Sequence, residues 1–457
     1  MTTILRTPKD WPAILLPAEP APQRARRGAA SAAPESAGDP LDLDAARDRG
    51  AFSGLKRSLH DLGPTATIAT IAASGLRGRG GAGFPTGEKW RAAAETPANQ
   101  RYVVANGYGA DPSSATDRTL LELNPYAVLE GAVIAAAAIG ASEVVVAVRA
   151  EATDAIRALE TALDRMVAAG LAGDDVLGSG ESIEITIRAV QGAYMLGEET
   201  VLLKAIEGKR GQPEQRPPHP AERGLFGKPT VVQNVQTLAA IPWIIANGAE
   251  AFAAIGSKAS PGTVLVSVRS PGGSGVAEVP MGTSLREIVG LAGRDATKGL
   301  KALLVGGPSG GILPAALADT GYEYDALRSV GAHMGSGAIV AADKRACIVD
   351  LARLLTRYCA DEACGKTIPC RIGLRRVSEI GDRVATGHPR PTDVQLLADL
   401  SSDIVESALC DHERLATLPF MSGMRYFRSE LDEHILRSSC PAGVCRPIAV
   451  AAGAAAH

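Results

Sequence analysis

The chain has 457 residues, 46 % of them apolar, enough for several cores and roughly two to four domains. Forty-seven Lys and Arg against 50 Asp and Glu leave a net charge of −3, so no chain-wide field selects nucleic acid or an anionic membrane, and no nucleic-acid partner is expected. All 7 cysteines follow residue 346, which argues against a disulfide framework for the whole chain and points to metal chemistry in its C-terminal part.

Residues 1–45 mix Pro, Ala and scattered charge without helical or strand period and predict a disordered or extended arm. Arg24, Arg26 and Arg27 precede an Ala/Ser/Pro stretch, Gly28–Pro40, instead of an apolar signal core; nothing there indicates export, and a cytoplasmic location is expected. Residues 46–245 read as an α/β domain. Leu55, Leu59 and Leu62 share a helical face, Pro64 opens a second helix that buries Ile68 and Ile71, and Gly75 ends it. Tyr102–Ala105, Val144–Val148 and Ile183–Ile187 predict buried strands, with a helix over Pro125–Ile139. The apolar run Ala127–Val148 is broken by Glu130 and Glu143 and is Ala/Gly-rich, so it reads as a buried helix and strand and no membrane span is expected. Over 246–330, strands at Thr263–Val268, Val276–Val279 and Ala302–Val305, with a helix capped by Ser284, predict a small β-grasp module. Residues 331–457 read as a helical bundle, with helices over Asp343–Tyr358 and Asp393–Ser407 and cysteines between or beside them.

Gly78, Gly80 and Gly83 form a GxGxxG pattern, which alone is weak. It follows a helix, and no acidic residue lies about twenty residues on, so an ordinary dinucleotide fingerprint is rejected. The whole run Gly75–Gly87 is nevertheless too glycine-dense for a common turn and lets a flat cofactor or phosphate approach main-chain N–H groups. In order after it come Lys89-Trp90, Gly192-Ala193-Tyr194, Gly197-Glu198-Glu199-Thr200, Gly227-Lys228-Pro229-Thr230, Asn234-Val235, the glycine-rich Gly306–Gly311 and Met334-Gly335-Ser336-Gly337. This ordered set, across roughly residues 50–445, resembles the FMN-carrying, NADH-oxidising subunit of respiratory complex I and the diaphorase subunits of NAD-linked hydrogenases and formate dehydrogenases.

The resemblance implies a Rossmann-like FMN-binding domain, an SLBB-like β-grasp domain and a helical iron–sulfur domain. It places Gly78, Arg79, Gly80, Lys89, Asn106, Tyr194, Gly197, Glu198, Glu199 and Asn234 around FMN, where Lys and Arg would neutralise phosphate and Asn would donate directionally. The bland alternative for Lys89, Glu198 and Glu199 is solvated helix-end charge. The implied reaction takes hydride from a two-electron donor and passes single electrons to iron–sulfur carriers, with no acid–base residue required. Implied partners are other subunits of an oxidoreductase complex, including a thioredoxin-like [2Fe-2S] subunit.

Several positions depart from the family pattern. The family's Asp-Glu pair after the first strand is Tyr108-Gly109 here, its adenine-stacking rings fall at Ala92 and His219, and Arg216 replaces a Lys. Lost rings at about 1 kcal/mol each, or more for a base stack, weaken NADH binding by on the order of a hundredfold. Three readings stay open: a nicotinamide donor with NADPH tolerated, another electron partner, or a scaffold subunit.

The family's [4Fe-4S] motif is matched by Cys364-Gly365-Lys366-Thr367-Ile368-Pro369-Cys370-Arg371 and by Cys410, with Thr367 where the second thiolate belongs. A hydroxyl is a poor iron ligand, so the site holds an oxygen-completed cluster, a three-iron form or none; Cys359 replaces the ligand only if the backbone rearranges. Cys440 and Cys445, with Cys347 and His434, can supply a Cys3His zinc site, against the alternative of free structural thiols.

Overall fold

The computed structural model describes residues 2–17 and 39–445. The predicted arm segment from 18 to 38 and the tail after Cys445 lie outside the described residues. The first sheet is wholly parallel: β1 (Tyr102–Gly107), β2 (Glu143–Arg149), β3 (Glu184–Val190) and β4 (Thr230–Asn234), in the order β3-β2-β1-β4. The inner strands β1 and β2 are Val/Ala-rich because helices cover both faces of the sheet. The expected helix Pro125–Ile139 forms with those bounds and is buried almost throughout. Gly131 lets it cross the helix Val235–Asn247, since a Cβ there would collide with the Leu238 carbonyl oxygen. Register places Asn106 opposite Asn234, at the carboxyl ends of adjacent β1 and β4. The order of the chain through the sheet reverses beside β1, and the crevice outside such a switch is where open α/β sheets bind ligands.

The second sheet contains β5 (Thr263–Ser270), β6 (Gly273–Pro280), β7 (Leu300–Val305), β8 (Gly311–Pro314) and β9 (Ala338–Asp343), in the order β8-β7-β9-β5-β6. The pair β9–β5 is parallel and the others antiparallel. Its central strand β9 comes from beyond residue 330, in the stretch expected to be helical. Six residues reading Ala-Ile-Val-Ala-Ala-Asp carry too little period to separate a strand from the start of a helix. The helix Leu285–Gly290 opens with the expected Ser284 cap, completed as a capping box by Glu287.

Helices Ile348–Asp361, Leu374–Ala385, Asp393–Glu406, Leu418–Tyr426 and Arg428–Arg437 build the third core around Cys359, Cys370, Leu374 and Phe420. Residues 2–17 run as an arm over β6: Ile4 bridges Val276, and the Ile14 and Leu16 N–H groups donate to the buried Glu278 carboxylate at 2.7 and 2.9 Å.

Glu130 sits 1 % exposed in the apolar helix, accepting the N–H groups of Phe52 and Leu55 at 2.8 and 3.0 Å. Burial raises its pKa from 4.5 to about 7, against the pull of those two donors. An acid raised in the folded state makes the folded protein bind more protons than the unfolded one between those values, so stability falls as pH rises from 4.5 to about 7. The contribution is on the order of 3 kcal/mol. Denaturant midpoints measured across that window are expected to fall less with pH in Glu130→Gln than in wild type; equal declines contradict this assignment.

Candidate functional site

The glycine run Gly75–Gly87 connects the helices Gly63–Ala73 and Thr86–Glu95 and is wedged between the two sheets. Gly78 N–H donates to the Phe84 carbonyl and Thr86 N–H to that of Leu76, both at 2.9 Å, which closes the loop. From the second sheet's domain, the Tyr324 hydroxyl donates to the Gly78 carbonyl at 2.7 Å. Gly83 has φ +69° and faces the Tyr324 ring so closely that a Cβ would lie 2.5 Å from it. Arg79, 2 % exposed, donates its backbone N–H to Thr237 Oγ1 at 2.8 Å, and its guanidinium to the carbonyls of Pro261 and Thr263 at 2.5 and 3.1 Å. Among the described residues the N–H groups of Gly80 and Gly81 have no hydrogen-bond partner in the fold. Two free donors on a backbone without side chains fit a phosphate or the polar edge of a flat ring.

Lys89, on the helix after the loop, donates to Glu199 at 2.9 Å and to the Val232 carbonyl at 3.1 Å. Glu198 caps the helix Glu199–Ile206 through the N–H groups of Thr200 and Val201, and Arg216 pairs with Glu198 and, at 3.3 Å, with Glu199. Burial pushes the Glu199 pKa up, but Lys89 and Arg216 together outweigh it and hold the carboxyl below its usual range. These charges are therefore a compensated network, not solvated helix ends. Asn106 donates to the Gly197 carbonyl at 3.3 Å, and a Cβ on Gly197 would come within 3.1 Å of Ala110. The Asn234 side chain is engaged by the fold: Nδ2 donates to Asp117 at 2.8 Å and Oδ1 accepts from Gln236 N–H at 2.9 Å. The structure thus gathers Gly78, Gly80, Lys89, Asn106, Gly197, Glu198 and Glu199 near the crevice, with Arg79 and Asn234 bracing it by their side chains.

Tyr194 lies where three domains meet. Its hydroxyl is 3.3 Å from Ser309 Oγ, its N–H donates to Glu362 at 2.7 Å, and its ring packs edge-on against Tyr358 and His412. Asp111 fills the space above Gly307, where a Cβ would collide with its carboxylate, and accepts from Ser336 Oγ at 2.6 Å. Asp111, Asp117 and Glu362 escape motif reading; only the match of Gly306–Gly311 and Met334–Gly337 to a close-approach surface hinted that something polar meets them. Tyr108, at the position of a family carboxylate, is buried, donates to the Gly192 carbonyl at 2.6 Å and stacks under Arg149. Ala92 and His219 are both exposed, on neighbouring helix segments Thr86–Glu95 and Pro220–Arg223.

Cys364, Cys370 and Cys410 converge at the edge of the third core, Cys370 on one π-helical turn over Pro369–Gly373. Burial pushes Cys370 up to about 12, with the negative neighbours Glu413, Cys410 and Cys364 adding to it; burial likewise takes Cys410 up to about 11. Thiols that repel one another's thiolates in this way suit a cation between them. Cys359 is fully buried inside the helix Ile348–Asp361. Thr367 donates instead to Glu413 at 2.7 Å. Three soft donors fit three corners of an iron–sulfur cluster, and the fourth corner differs.

Cys347, His434, Cys440 and Cys445 place one ligand atom each within 4.8 Å of one another. Cys347 Sγ is 3.5 Å from His434 Nε2 and 3.6 Å from Cys445 Sγ. His434 Nδ1 lies 2.8 Å from the Glu430 carbonyl, which only accepts, so Nδ1 carries the proton and Nε2 turns its lone pair toward the thiols. Burial raises the Cys440 pKa, but the N–H groups of Cys445, Val444 and Ala442 outweigh it and bring it down to about 7. A preformed thiolate and a neutral imidazole in one tetrad fit a tetrahedral dication.

A family model described as the Nuo51 FMN-binding domain matches residues 71–243, and one described as the NADH-ubiquinone oxidoreductase-F iron-sulfur binding region matches residues 350–434. The HndC component of the NADP-reducing hydrogenase of Solidesulfovibrio fructosivorans is 41 % identical over 410 residues, 89 % of this chain and 83 % of its own. The NuoF-type component of the NADH-quinone oxidoreductase of Streptomyces coelicolor is 37 % identical over 402 residues, 87 % of this chain and 89 % of its own. A solved structure of NAD+-reducing [NiFe]-hydrogenase in the H2-reduced state superposes with a TM-score of 0.78 at 31 % identity, over 86 % of this chain and 66 % of that one. The chain belongs to the family of NADH-quinone oxidoreductase F subunits and their hydrogenase counterparts, electron-transfer oxidoreductase subunits with an FMN-binding domain and an iron–sulfur region.

Proposed function

We propose that this chain is the flavin-bearing entry subunit of a multisubunit oxidoreductase, taking electrons from a reduced nicotinamide dinucleotide and handing them to iron–sulfur carriers. The observation that carries this reading is the pair of unpartnered N–H groups on Gly80 and Gly81, beside Lys89 and Asn106 at the switch between β1 and β4. Bound FMN supplies the exchange between two-electron and one-electron transfer. Gly80 and Gly81 donate from the backbone, Lys89 brings positive charge, and Arg79 and Asn234 hold the loop and strand end behind them. Because Lys89 and Arg216 offset Glu198 and Glu199, the mouth of the cleft does not repel dinucleotide phosphates, and both NADH and NADPH are admitted. The likeness to a component of an NADP-reducing hydrogenase favours the same latitude.

The five-stranded sheet, with its first and last strands paired in parallel, is assigned as an SLBB-like β-grasp domain between the FMN domain and the helical iron–sulfur domain. Ile368 and Ile372, both exposed beside Cys370, suit the docking of the next carrier, a thioredoxin-like [2Fe-2S] subunit. No single described helix is long and apolar enough to cross a membrane, in keeping with a cytoplasmic assignment. The Cys347 tetrad is assigned to structural zinc, tying the C-terminal segment to the helix Ile348–Asp361.

Two measurements test these assignments. Anaerobic titration of flavin bleaching is expected to show weak dinucleotide binding in wild type, tightened roughly tenfold or more by Ala92→Phe with His219→Phe. No bleaching by either dinucleotide defeats the electron-entry reading, and tight wild-type binding indifferent to the two rings defeats the stacking account. For the tetrad, elemental analysis is expected to find about one zinc per chain, lost in Cys440→Ser and His434→Ala with a lower melting temperature. Zinc absent from wild type, or retained in both variants, contradicts the site.

A further inference from the structure

Glu413 is 1 % exposed, yet no basic residue pairs with it among the described residues. Its Oε2 accepts the Leu409 N–H at 2.9 Å, the reach of a helix-capping glutamate for the short helix Asp411–Leu415. Capping accounts for that oxygen only. Glu287, which does the same at the Ser284 cap, stands in solvent, where a capping carboxylate keeps its hydration. Glu413 is instead turned inward, and its Oε1 accepts from Thr367 Oγ1 at 2.7 Å. Thr367 holds the sequence position between Cys364 and Cys370 from which a fourth thiolate would come, and Cys410 lies three residues before Glu413. A buried carboxylate without a cation costs several kcal/mol. It is placed where three thiols leave one corner of a metal cluster open.

We propose that the Glu413 carboxylate is the fourth ligand of the iron–sulfur cluster held by Cys364, Cys370 and Cys410, with Thr367 positioning it. The assignment rests on the reading that this region binds a cluster at all. Carboxylate is an ordinary hard ligand for iron, and an iron ion is the positive charge that the buried group lacks. The result is a cluster with three sulfur-ligated irons and one oxygen-ligated iron, so that one corner is chemically distinct and exchanges more readily than the rest. Thr367 loses nothing in this arrangement, because its hydroxyl donates to the carboxylate and has no need to bind metal.

The test uses the full chain reconstituted anaerobically with ferrous iron and sulfide, with flavin content as the control for folding. Wild type is expected to hold about four irons, about one in four distinct by Mössbauer spectroscopy. Glu413→Gln is expected to fall to about three irons with the paramagnetic signal of an oxidised three-iron cluster, and Glu413→Asp to retain the fourth in part. Thr367→Cys is expected to make all irons alike, and the double variant Thr367→Cys with Glu413→Gln to restore about four. Four equivalent irons in wild type, a Glu413→Gln variant indistinguishable from it, wild type stopping at three while Thr367→Cys holds four, or a loss in Glu413→Gln that Thr367→Cys does not restore, each overturns the ligand assignment. If wild type and Thr367→Cys both retain flavin and take up no iron, the cluster reading itself falls and the assignment with it.

Discussion

The guanidinium of Arg79 lies between the first domain and the second, satisfied by the carbonyl oxygens of Pro261, Thr263 and Arg77 and by no carboxylate. A buried cation held only by main-chain dipoles is tolerable only while all of them stay in place, because losing one leaves charge uncompensated at low dielectric. The glycine loop is therefore fixed to β5 by its own arginine, and Tyr324 clamps it from the other side through the Gly78 carbonyl. The free N–H groups of Gly80 and Gly81 then have a defined direction, and the functional cleft depends on that. The loop belongs in sequence to the first domain, but its conformation is set by the second.

The same logic places the remaining domains. Tyr194 touches Ser309 of the second domain and Tyr358 and His412 of the helical one, so the path from the flavin cleft to the cysteines passes through packed side chains and not through solvent. Lys301 at β7 pairs with Glu430, whose other oxygen caps the helix that begins at Ile348 next to Cys347. The metal tetrad thereby inherits a fixed position relative to the second sheet. Each cofactor site is built at a seam, with glycines where backbones approach and buried carboxylates where N–H groups converge.

Much of this was legible in the chain. The Pro125–Ile139 helix, the parallel strands and the Ser284 cap follow from period and capping chemistry that act within a few residues. The Cys347–His434–Cys440–Cys445 tetrad was also foreseeable from ligand type, although its members are spread over almost a hundred positions. What composition did not reveal depends on distant partners. The helix Leu374–Ala385 is amphipathic and yet lies beside the more conspicuous cysteine motif, and β9 is too short to declare its period. Arg79 and Asn234 belong to the motif, but nothing local shows that their side chains serve the fold and leave only backbone and position to the cleft. Glu413 is invisible as a site residue until Thr367 is seen against it, 46 positions away.

The account stands or falls on the cleft formed by Gly78, Gly80, Gly81 and Lys89 being a site for FMN. Chromatography of acid-released flavin from the anaerobically reconstituted chain measures this directly. One FMN per chain is the predicted result, with occupancy sharply reduced in Lys89→Ala while its melting temperature stays close to that of wild type. FAD in the extract, no flavin at all, or full FMN occupancy in Lys89→Ala would contradict it.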